Sequence, residues 1–182
     1  MAKKPIKPKQ CKVCEKPFIP TFSTLQVVCG IPCSRKFNEE KEIKKRVKQM
    51  KVESQKLSDL ESVARVIFQK YIRERDKKDK CISCNRTETE QWDGSHLFSA
   101  EQYSGVIFNE MNVNKACVFC NRNLYGNLLE YRKGFILKYG EQAYNDLEKL
   151  ANETRTYKFQ RSELIDIANK YKIKLKELGA KC

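Results

Sequence analysis

The sequence has very little histidine and no long apolar run. His96 is the single histidine among 182 residues, so no site in this chain can use two imidazoles. No segment approaches the roughly 20 apolar residues that a membrane-spanning helix needs, which excludes a helical membrane protein. Lysines stand where a secretory signal would have its apolar stretch, so we expect no secretion. The length predicts one or two domains of modest size.

The charge of the chain is basic and unevenly distributed. There are 37 Lys and Arg residues against 23 Asp and Glu, which gives a formal net charge of +14. Residues 1–57 contribute +10 of this charge, and the other residues contribute +4. A basic arm favours a polyanion such as nucleic acid as partner, because Lys and Arg release counterions from phosphates. The alternative is a solvated charged helix, and no membrane partner is expected because the basic stretch lacks a bulky apolar face.

Eight of the nine cysteines form four close pairs. Without a secretion signal we expect a reducing compartment, where such pairs bind metal rather than form disulfides. Zinc is held by four ligands in a tetrahedron, so the four pairs predict two structural zinc sites. Cys182 is left without an assignable role. The first predicted site consists of Cys11, Cys14, Cys29 and Cys33, and the second of Cys81, Cys84, Cys117 and Cys120.

Composition and periodicity predict an α+β fold that is mainly helical. Residues 1–9 are expected to be a disordered basic tail, and residues 10–37 a small zinc finger with four cysteine ligands. A basic helical region over residues 38–78 follows, then a zinc-stabilised module at 79–135 and C-terminal helices at 136–182. The finger is too short to fold by apolar burial alone, so metal should stabilise it. Its expected small core is Phe18, Phe22, Leu25, Val27 and Val28.

Helix boundaries are predicted from caps and apolar spacing. A capping box at Ser58 should start the second helix, and Ser162 should cap the last one. A helix from Leu128 to Tyr139 should present Leu129 and Leu137 among its apolar residues. The last helix carries an apolar seam that suits either an intrachain contact or a coiled-coil contact between chains. This seam comprises Leu164, Ala168, Tyr171, Leu175 and Leu178.

The 32 residues between Cys84 and Cys117 exceed what a simple zinc finger needs. They include His96, whose ordinary pKa near 6.5 suits a general base at neutral pH. Asn112 lies 16 residues after it, and Asn121 directly follows Cys120. A histidine near a zinc module is often a fourth ligand, but each site here already has four cysteines. Asparagines also commonly serve as turn and cap residues.

This arrangement resembles the HNH nuclease pattern, in which a β-hairpin and a helix grip one divalent metal. The chain is still more similar to the phage NinG/Rap recombination family, and the resemblance covers most of the sequence. An N-terminal cysteine cluster followed by a basic helical region is also typical of that family. The stretches that carry the resemblance are Ile72–Asp76, Cys81–Cys84, Trp92–Asp93, Phe108–Glu110, Cys117–Asn121 and Gly126–Leu128.

The resemblance implies a ββα-metal module and a structure-specific DNA endonuclease. Its substrates would be branched or partly single-stranded recombination intermediates such as D-loops and Holliday junctions. It implies that His96 is the general base, that Asn112 orients the imidazole through a hydrogen bond, and that Asn121 ligates Mg²⁺ or Mn²⁺. It also implies the cytoplasm of a phage-infected bacterium, with phage or host recombination proteins and a second copy of the chain as hypothetical partners.

Asp93 is the second expected ligand of the divalent ion. Many HNH enzymes place an Asp or His directly before the base, whereas Ser95 occupies that position here. On a regular strand Asp93 would point to the face opposite His96, and a bulge at Gly94 could bring the two together. The residues expected to position DNA phosphates are Arg73, Arg75, Lys115 and Arg122.

Two other functions are compatible with parts of this pattern. A non-catalytic, zinc-containing DNA-binding adaptor would need the cysteine pairs but not His96, Asn112 and Asn121 together. A sequence-specific transcription regulator is less favoured, because no recognition-helix pattern with a defined dimer spacing is visible.

Overall fold

The structure is a computed structural model that describes residues 7–180, and for residues 51 and 52 the backbone only. Cys182 and most of the predicted tail at 1–9 lie outside the described residues. The chain divides between Gln55 and Lys56 into two compact units, each considered by itself below. This division falls inside the predicted basic helical region at 38–78.

The N-terminal unit consists of a short hairpin, a cysteine cluster and a long helix. Strands β1 (Lys9–Gln10) and β2 (Pro17–Phe18) pair antiparallel, and helix α1 spans Ile31–Ser54. The predicted apolar core of the finger is wrong for Phe22 and Leu25, which are 92% and 84% exposed. So short a segment cannot enclose bulky side chains. The four clustered cysteines and a backbone bond from the Lys12 N–H to the Val27 carbonyl connect the two ends of this segment.

The second unit is a two-stranded hairpin enclosed by four helices, which confirms the predicted mainly helical α+β fold. A 3₁₀ turn at Ser104–Val106 lies between the strands, and a π-helical turn at Phe119–Asn123 follows them. Within the described residues, no helix is long and apolar enough to span a bilayer. The elements are α2 (Leu57–Arg75), β3 (Trp92–His96), β4 (Val113–Cys117), α3 (Leu128–Tyr139), α4 (Glu141–Glu153) and α5 (Arg161–Glu177).

Helices α2 and α5 form one half of the core. The ring of Phe68 on α2 meets Tyr171 on α5 edge to face, with centroids 4.7 Å apart. Leu164 and Leu175 on α5 are almost completely buried. The part of the seam from Leu164 to Leu175 is therefore an intrachain contact and is not available for a coiled-coil contact between chains. Leu178 follows the helix and is 50% exposed, so it does not belong to this contact.

Helices α3 and α4 form the other half of the core. Tyr131 and Phe135 on α3 are fully buried, whereas Leu129 and Leu137 are 80% and 85% exposed. The sequence listed the two leucines among the apolar residues of this helix without assigning them a face, and the structure leaves both in solvent. Two aromatic rings spaced by four residues bury more apolar surface than the leucines, so they set the inward face.

The caps of two helices differ from the predicted ones. Helix α2 begins at Leu57 rather than after Ser58. Helix α5 begins at Arg161, so the predicted cap Ser162 lies inside the helix. The backbone N–H of Gln160 donates to the Glu163 carboxylate at 2.6 Å. This bond from the cap to a Glu three residues later satisfies a free donor at the helix start.

The hairpin β3–β4 lies between the two halves of the core. Its pairing runs without a bulge from Trp92 opposite Cys117 to His96 opposite Val113. Val113 packs in the α2–α5 half and Ala116 in the α3–α4 half. Because strand residues alternate between faces, His96 faces the α2 side, and Asp93 faces the α3 side. The bulge that could bring the two together is not formed.

Candidate functional site

The described residues contain two clusters of four cysteines, which confirms the predicted grouping. In each cluster the four sulfur atoms lie within 4.8 Å of one another. The Sγ atoms of Cys14 and Cys29 are 3.6 Å apart, and those of Cys84 and Cys117 are 3.8 Å apart. Four sulfurs at about 2.3 Å from a tetrahedral zinc ion would lie about 3.8 Å from one another. The donor set and its spacing therefore fit zinc.

Backbone amides stabilise negative charge in both clusters. The N–H of Cys117 donates to the Cys81 sulfur at 3.3 Å, and the N–H of Cys29 donates to the Cys11 sulfur at 3.4 Å. Hydrogen bonds from the Cys14 amide and its neighbours lower the pKa of the Cys11 thiol to about 6. Burial acts to raise the pKa of Cys81, but amide donors led by Cys117 lower it below the usual value. In each cluster one thiol, that of Cys11 or that of Cys81, therefore favours the thiolate form that a metal binds.

The central cluster fixes the position of the residues that follow it. Cys81 precedes the hairpin, Cys117 ends β4, and Cys120 lies in the π-helical turn. Helix α3 approaches the cluster closely, since a Cβ atom on Gly134 would lie 1.9 Å from the carbonyl oxygen of Ile82. The turn that carries Asn121 is therefore held against the hairpin.

Asp93 is brought together with Asn121 and Arg122. The Asn121 amide donates to the carboxylate at 3.0 Å, and Arg122 donates through Nε at 2.8 Å and Nη2 at 3.0 Å. Gln91 adds a fourth donor at 3.0 Å. Burial acts to raise the pKa of Asp93, but Arg122 and Asn121 lower it below its ordinary value. The group is an ionised, preorganised carboxylate on the α3 side of the hairpin.

His96 lies on the other face of the same strand and does not contact Asp93 or Asn121. Its Nε2 is 3.2 Å from the carbonyl oxygen of Ile107. Burial lowers the pKa of His96, and the nearby charge of Arg65 also lowers it, which outweighs the bond to the carbonyl. The imidazole is therefore neutral at pH 7. A neutral ring that donates Nε2–H to a carbonyl has its lone pair on Nδ1.

Asn112 holds the loop after His96 and not the imidazole itself. Its side chain is completely buried and accepts from the Phe98 N–H at 2.8 Å. It donates to the carbonyl oxygens of Phe98 and Val106, both at 3.0 Å. The expected hydrogen bond to the imidazole is not formed, because the carboxamide is used by these backbone groups. Asn112 acts on His96 only through the loop that carries Ile107.

Two of the four residues expected to bind phosphate instead bond to groups of the chain itself. Arg75 bonds to the Asp76 carboxylate at 2.7 Å and to the carbonyl oxygens of Glu110 and Val113. Lys115 is 4% exposed, and its ammonium donates to the carbonyl of Lys77 and lies 4.3 Å from the centre of the Trp92 ring. These contacts stabilise the fold. A phosphate contact remains a prediction for Arg73 and Arg122.

Comparison with known proteins identifies the family of the chain. Residues 34–181 match the family described as Bacteriophage Lambda NinG protein. The chain belongs to the NinG family. Protein ninG of Escherichia phage 933W is 31% identical over 190 residues, which covers 93% of each chain. Protein ninG of Escherichia phage lambda is 37% identical over 108 residues, which covers 59% of this chain and 52% of the relative.

The NinG-family match begins directly after the first cysteine cluster. The relative from phage 933W extends the similarity over most of this chain, so it reaches into the N-terminal unit as well. Protein ninG of Salmonella phage P22 is 34% identical over 108 residues, or 59% of this chain. No solved structure matches the chain.

Sequence reasoning named Ser95 and Glu110 but assigned a role to neither. Among the described residues, the Ser95 hydroxyl is the one buried side-chain polar atom without a hydrogen-bond partner. It stands directly before His96, where many HNH enzymes have a metal ligand, so its position was a readable signal. Glu110 accepts from the Tyr71 hydroxyl at 2.8 Å and from Tyr171 at 3.2 Å. Glu110 thereby ties the inter-strand loop to α2 and α5, a contact that only the fold reveals.

Proposed function

We propose that this chain is a metal-dependent DNA endonuclease that cleaves branched recombination intermediates, including D-loops and Holliday junctions. The observation that carries the proposal is the approach of Asn121 to Asp93 at 3.0 Å across 28 residues of sequence. It joins an ionised carboxylate and a carboxamide next to the strand that ends in His96. The resemblance to HNH nucleases indicates that the reaction is metal-dependent hydrolysis of the DNA backbone. The net charge of +14 supplies attraction to DNA.

The residues at Asp93 fit a divalent ion in their chemistry. Carboxylate and carboxamide oxygens suit Mg²⁺ or Mn²⁺. Without a metal ion, the charge of the Asp93 carboxylate is balanced by Arg122. The Arg122 side chain is 55% exposed, so it could leave Asp93 and bind a DNA phosphate when a metal ion takes its place. Asn121 would turn its oxygen instead of its NH₂ group toward the ion. The bound ion would stabilise negative charge that develops on the phosphate during hydrolysis.

His96 is suited to accept a proton. The imidazole is neutral because its pKa is lowered, and the lone pair on Nδ1 can accept the proton of an attacking water. Its position opposite Asp93 agrees with the HNH pattern in one respect. In the HNH pattern the acid is one residue before the base, whereas Asp93 is three residues before His96. Strand residues that are one or three positions apart point to opposite faces, so the two arrangements agree in this respect.

The proposal is tested with a labelled four-way junction, a D-loop and a linear duplex, each with and without Mg²⁺ or Mn²⁺. We expect metal-dependent cleavage of the branched substrates. His96→Ala should lower the cleavage rate by about 10²- to 10⁴-fold without loss of DNA binding, because a general base contributes about this much. Gln102→Ala, in the exposed part of the following loop, is the matched control. Unchanged cleavage by His96→Ala would refute the assignment of the base.

A second candidate function is a non-catalytic, zinc-containing DNA-binding adaptor. It is favoured by the four donors that already surround the Asp93 carboxylate and by the separation of His96 from Asn121. The same experiment distinguishes the two functions. Binding of the junction with no cleavage in either metal would support the adaptor. A homodimer and contacts with phage or host recombination proteins remain hypotheses under both functions.

We also propose that each cysteine cluster holds one zinc ion. The sulfur spacing and the amide donors described above support this. In the N-terminal unit the ion would replace the apolar core that the segment lacks. In the second unit it would hold the turn with Asn121 against the hairpin.

A further inference from the structure

A group of exposed apolar side chains begins within the last cysteine pair of the central cluster and continues after it. Tyr125 and Leu129 are the most exposed of them, at 89% and 80%. The segment also contains Asn121 and Arg122, so the group borders the candidate site. Apolar side chains clustered on a surface commonly mark a binding surface. The exposed residues are Phe119, Leu124, Tyr125, Leu128 and Leu129.

The backbone at Tyr125 adopts an uncommon conformation that the structure holds in place. Its φ is +50°, and Gly126 and Asn127 continue in the same region at +91° and +48°. The Gly126 N–H donates to the carbonyl oxygens of Cys120 at 2.9 Å and Asn121 at 3.1 Å. The turn is thereby fixed to the cysteine cluster. Bulky residues rarely occupy the left-handed region, and such conformations gather at functional sites.

The Tyr125 side chain does not contribute to the core of the chain. It is 89% exposed, and among the side chains that the structure describes none places a ring or a cation over its face. A glycine or asparagine would fit this backbone with less strain. An aromatic ring that is held in solvent on this hydrogen-bonded turn therefore points to a contact outside the chain.

The residues around the Tyr125 ring indicate that its binding partner is nucleic acid. Arg122 is half exposed beside the turn, and the guanidinium of Arg86 lies 5.9 Å from the centre of the exposed Phe119 ring. Exposed aromatic rings combined with arginines are typical of surfaces that bind single-stranded nucleic acid. Residues 58–182, which include this surface, contribute +4 to the net charge, and this also favours a polyanion over a basic or neutral partner.

We propose that the Tyr125 ring stacks on an unpaired base at the branch of the DNA substrate, next to Asn121 and Arg122. This inference rests on the proposed function and names the part of the branched DNA that the site recognises. Every base offers a face for stacking, so recognition would not depend on sequence. A fully paired linear duplex has no free base face, and the ring would not contribute to its binding.

The test measures dissociation constants without divalent metal, so that binding is read separately from cleavage. The probes are a branched DNA with one unpaired 2-aminopurine at the branch and a linear duplex of equal length. The variants are Tyr125→Ala, Tyr125→Phe and, as a control, Leu137→Ala, which removes an equally exposed apolar side chain from α3. Tyr125→Asn tolerates the left-handed backbone and guards against a folding effect.

We expect Tyr125→Ala and Tyr125→Asn to weaken binding of the branched DNA by about 5- to 150-fold, the range for one stacked base. Tyr125→Phe and Leu137→Ala should bind like the wild type. Binding of the linear duplex should not change. The 2-aminopurine fluorescence should be quenched by the wild type and by Tyr125→Phe but not by Tyr125→Ala.

Several outcomes would overturn the inference. Equal binding of the branched DNA by the wild type and Tyr125→Ala would do so, and an equal loss on the linear duplex would show a general charge or folding effect. If the stacking results hold but no variant or wild type cleaves DNA in Mg²⁺ or Mn²⁺, only the endonuclease proposal fails. If cleavage is seen but Tyr125→Ala binds normally, only the stacking inference fails. No DNA binding at all would overturn both.

Discussion

Replacement of Asn112 by alanine tests whether this residue serves the fold or the chemistry. The carboxamide is buried and makes three hydrogen bonds to backbone groups of Phe98 and Val106, at 2.8, 3.0 and 3.0 Å. Asn112→Ala removes all three bonds. The loop between His96 and Ile107 would then lose these three bonds, while the Leu97 N–H still donates to the Asn112 carbonyl.

The size of the effect follows from the number of bonds and their burial. A hydrogen bond within a protein contributes about 0.5–1.5 kcal/mol net, and a buried group left without a partner costs about 1–3 kcal/mol. The groups of Phe98 are partly reached by water, whereas the bond to the Val106 carbonyl is buried. We therefore expect Asn112→Ala to lower the free energy of unfolding by about 3 kcal/mol, since only the Val106 carbonyl would be left both buried and without this hydrogen bond.

The assay is thermal unfolding of the zinc-loaded protein, followed by circular dichroism. For a unit of this size, about 3 kcal/mol corresponds to a decrease in Tm of about 10 °C. Asn145→Ala, at an exposed position of α4, is the matched control and should leave Tm almost unchanged. Cleavage of a four-way junction is measured with the same preparations, well below the Tm of the variant.

The reasoning would be refuted by a stable but inactive variant. If Asn112→Ala unfolds within about 2 °C of the wild type and loses cleavage, then Asn112 acts on the imidazole or substrate directly, because the three bonds would be worth far less than about 3 kcal/mol. A loss of stability with cleavage preserved at low temperature would instead confirm a role in holding the loop.

Three further predictions concern the rest of the site. Gly134→Ala should destabilise the chain by about 1–3 kcal/mol in thermal unfolding, although alanine favours a helix by about 1 kcal/mol, because its Cβ meets a backbone oxygen of Ile82 that cannot move freely. Lys133→Ala is the control, and an equally stable Gly134→Ala would contradict the close packing. Burial lowers the pKa of His96, so the unfolded chain takes up a proton more readily, and the wild type should lose stability relative to His96→Gln as pH falls below about 6.5. A pH-independent difference between the two would show that the imidazole is not held neutral. Elemental analysis should find two zinc ions per chain and one in Cys81→Ser, whereas an unchanged zinc content of the variant would argue against the second site.

The cysteine clusters and the helices could be predicted from the sequence because their chemistry is local. Pairs separated by two or three residues bring two thiolates to one ion whatever surrounds them. Helical periodicity predicted the bounds of α3 as the structure has them. The inward face of α3 could not be predicted, because leucines and aromatic residues both recur at helical spacing. Packing against α4 selected Tyr131 and Phe135.

The candidate site shows the same division between local and tertiary information. The motif around His96 identified the strand, the histidine and the asparagines, and the spacing to Asp93 allowed either opposite faces or a bulge at Gly94. The continuous pairing of β3 with β4 shows that Asp93 and His96 lie on opposite faces of the strand. Basic residues cannot be told apart by composition, so Arg75 was expected at the DNA. Its partners, Asp76 and the Glu110 carbonyl, are set by how α2 packs on the hairpin.

The sequence by itself determined the two four-cysteine clusters, the mainly helical α+β fold and the resemblance that led to the NinG family. It did so because ligand spacing and helical period are properties of short segments. Only the tertiary structure decided that the α5 seam is internal, that Asn112 holds a loop, and that Tyr125 is held rigidly in solvent. These features depend on which surfaces exclude water and which backbone groups lack partners. Both are settled when distant segments pack together.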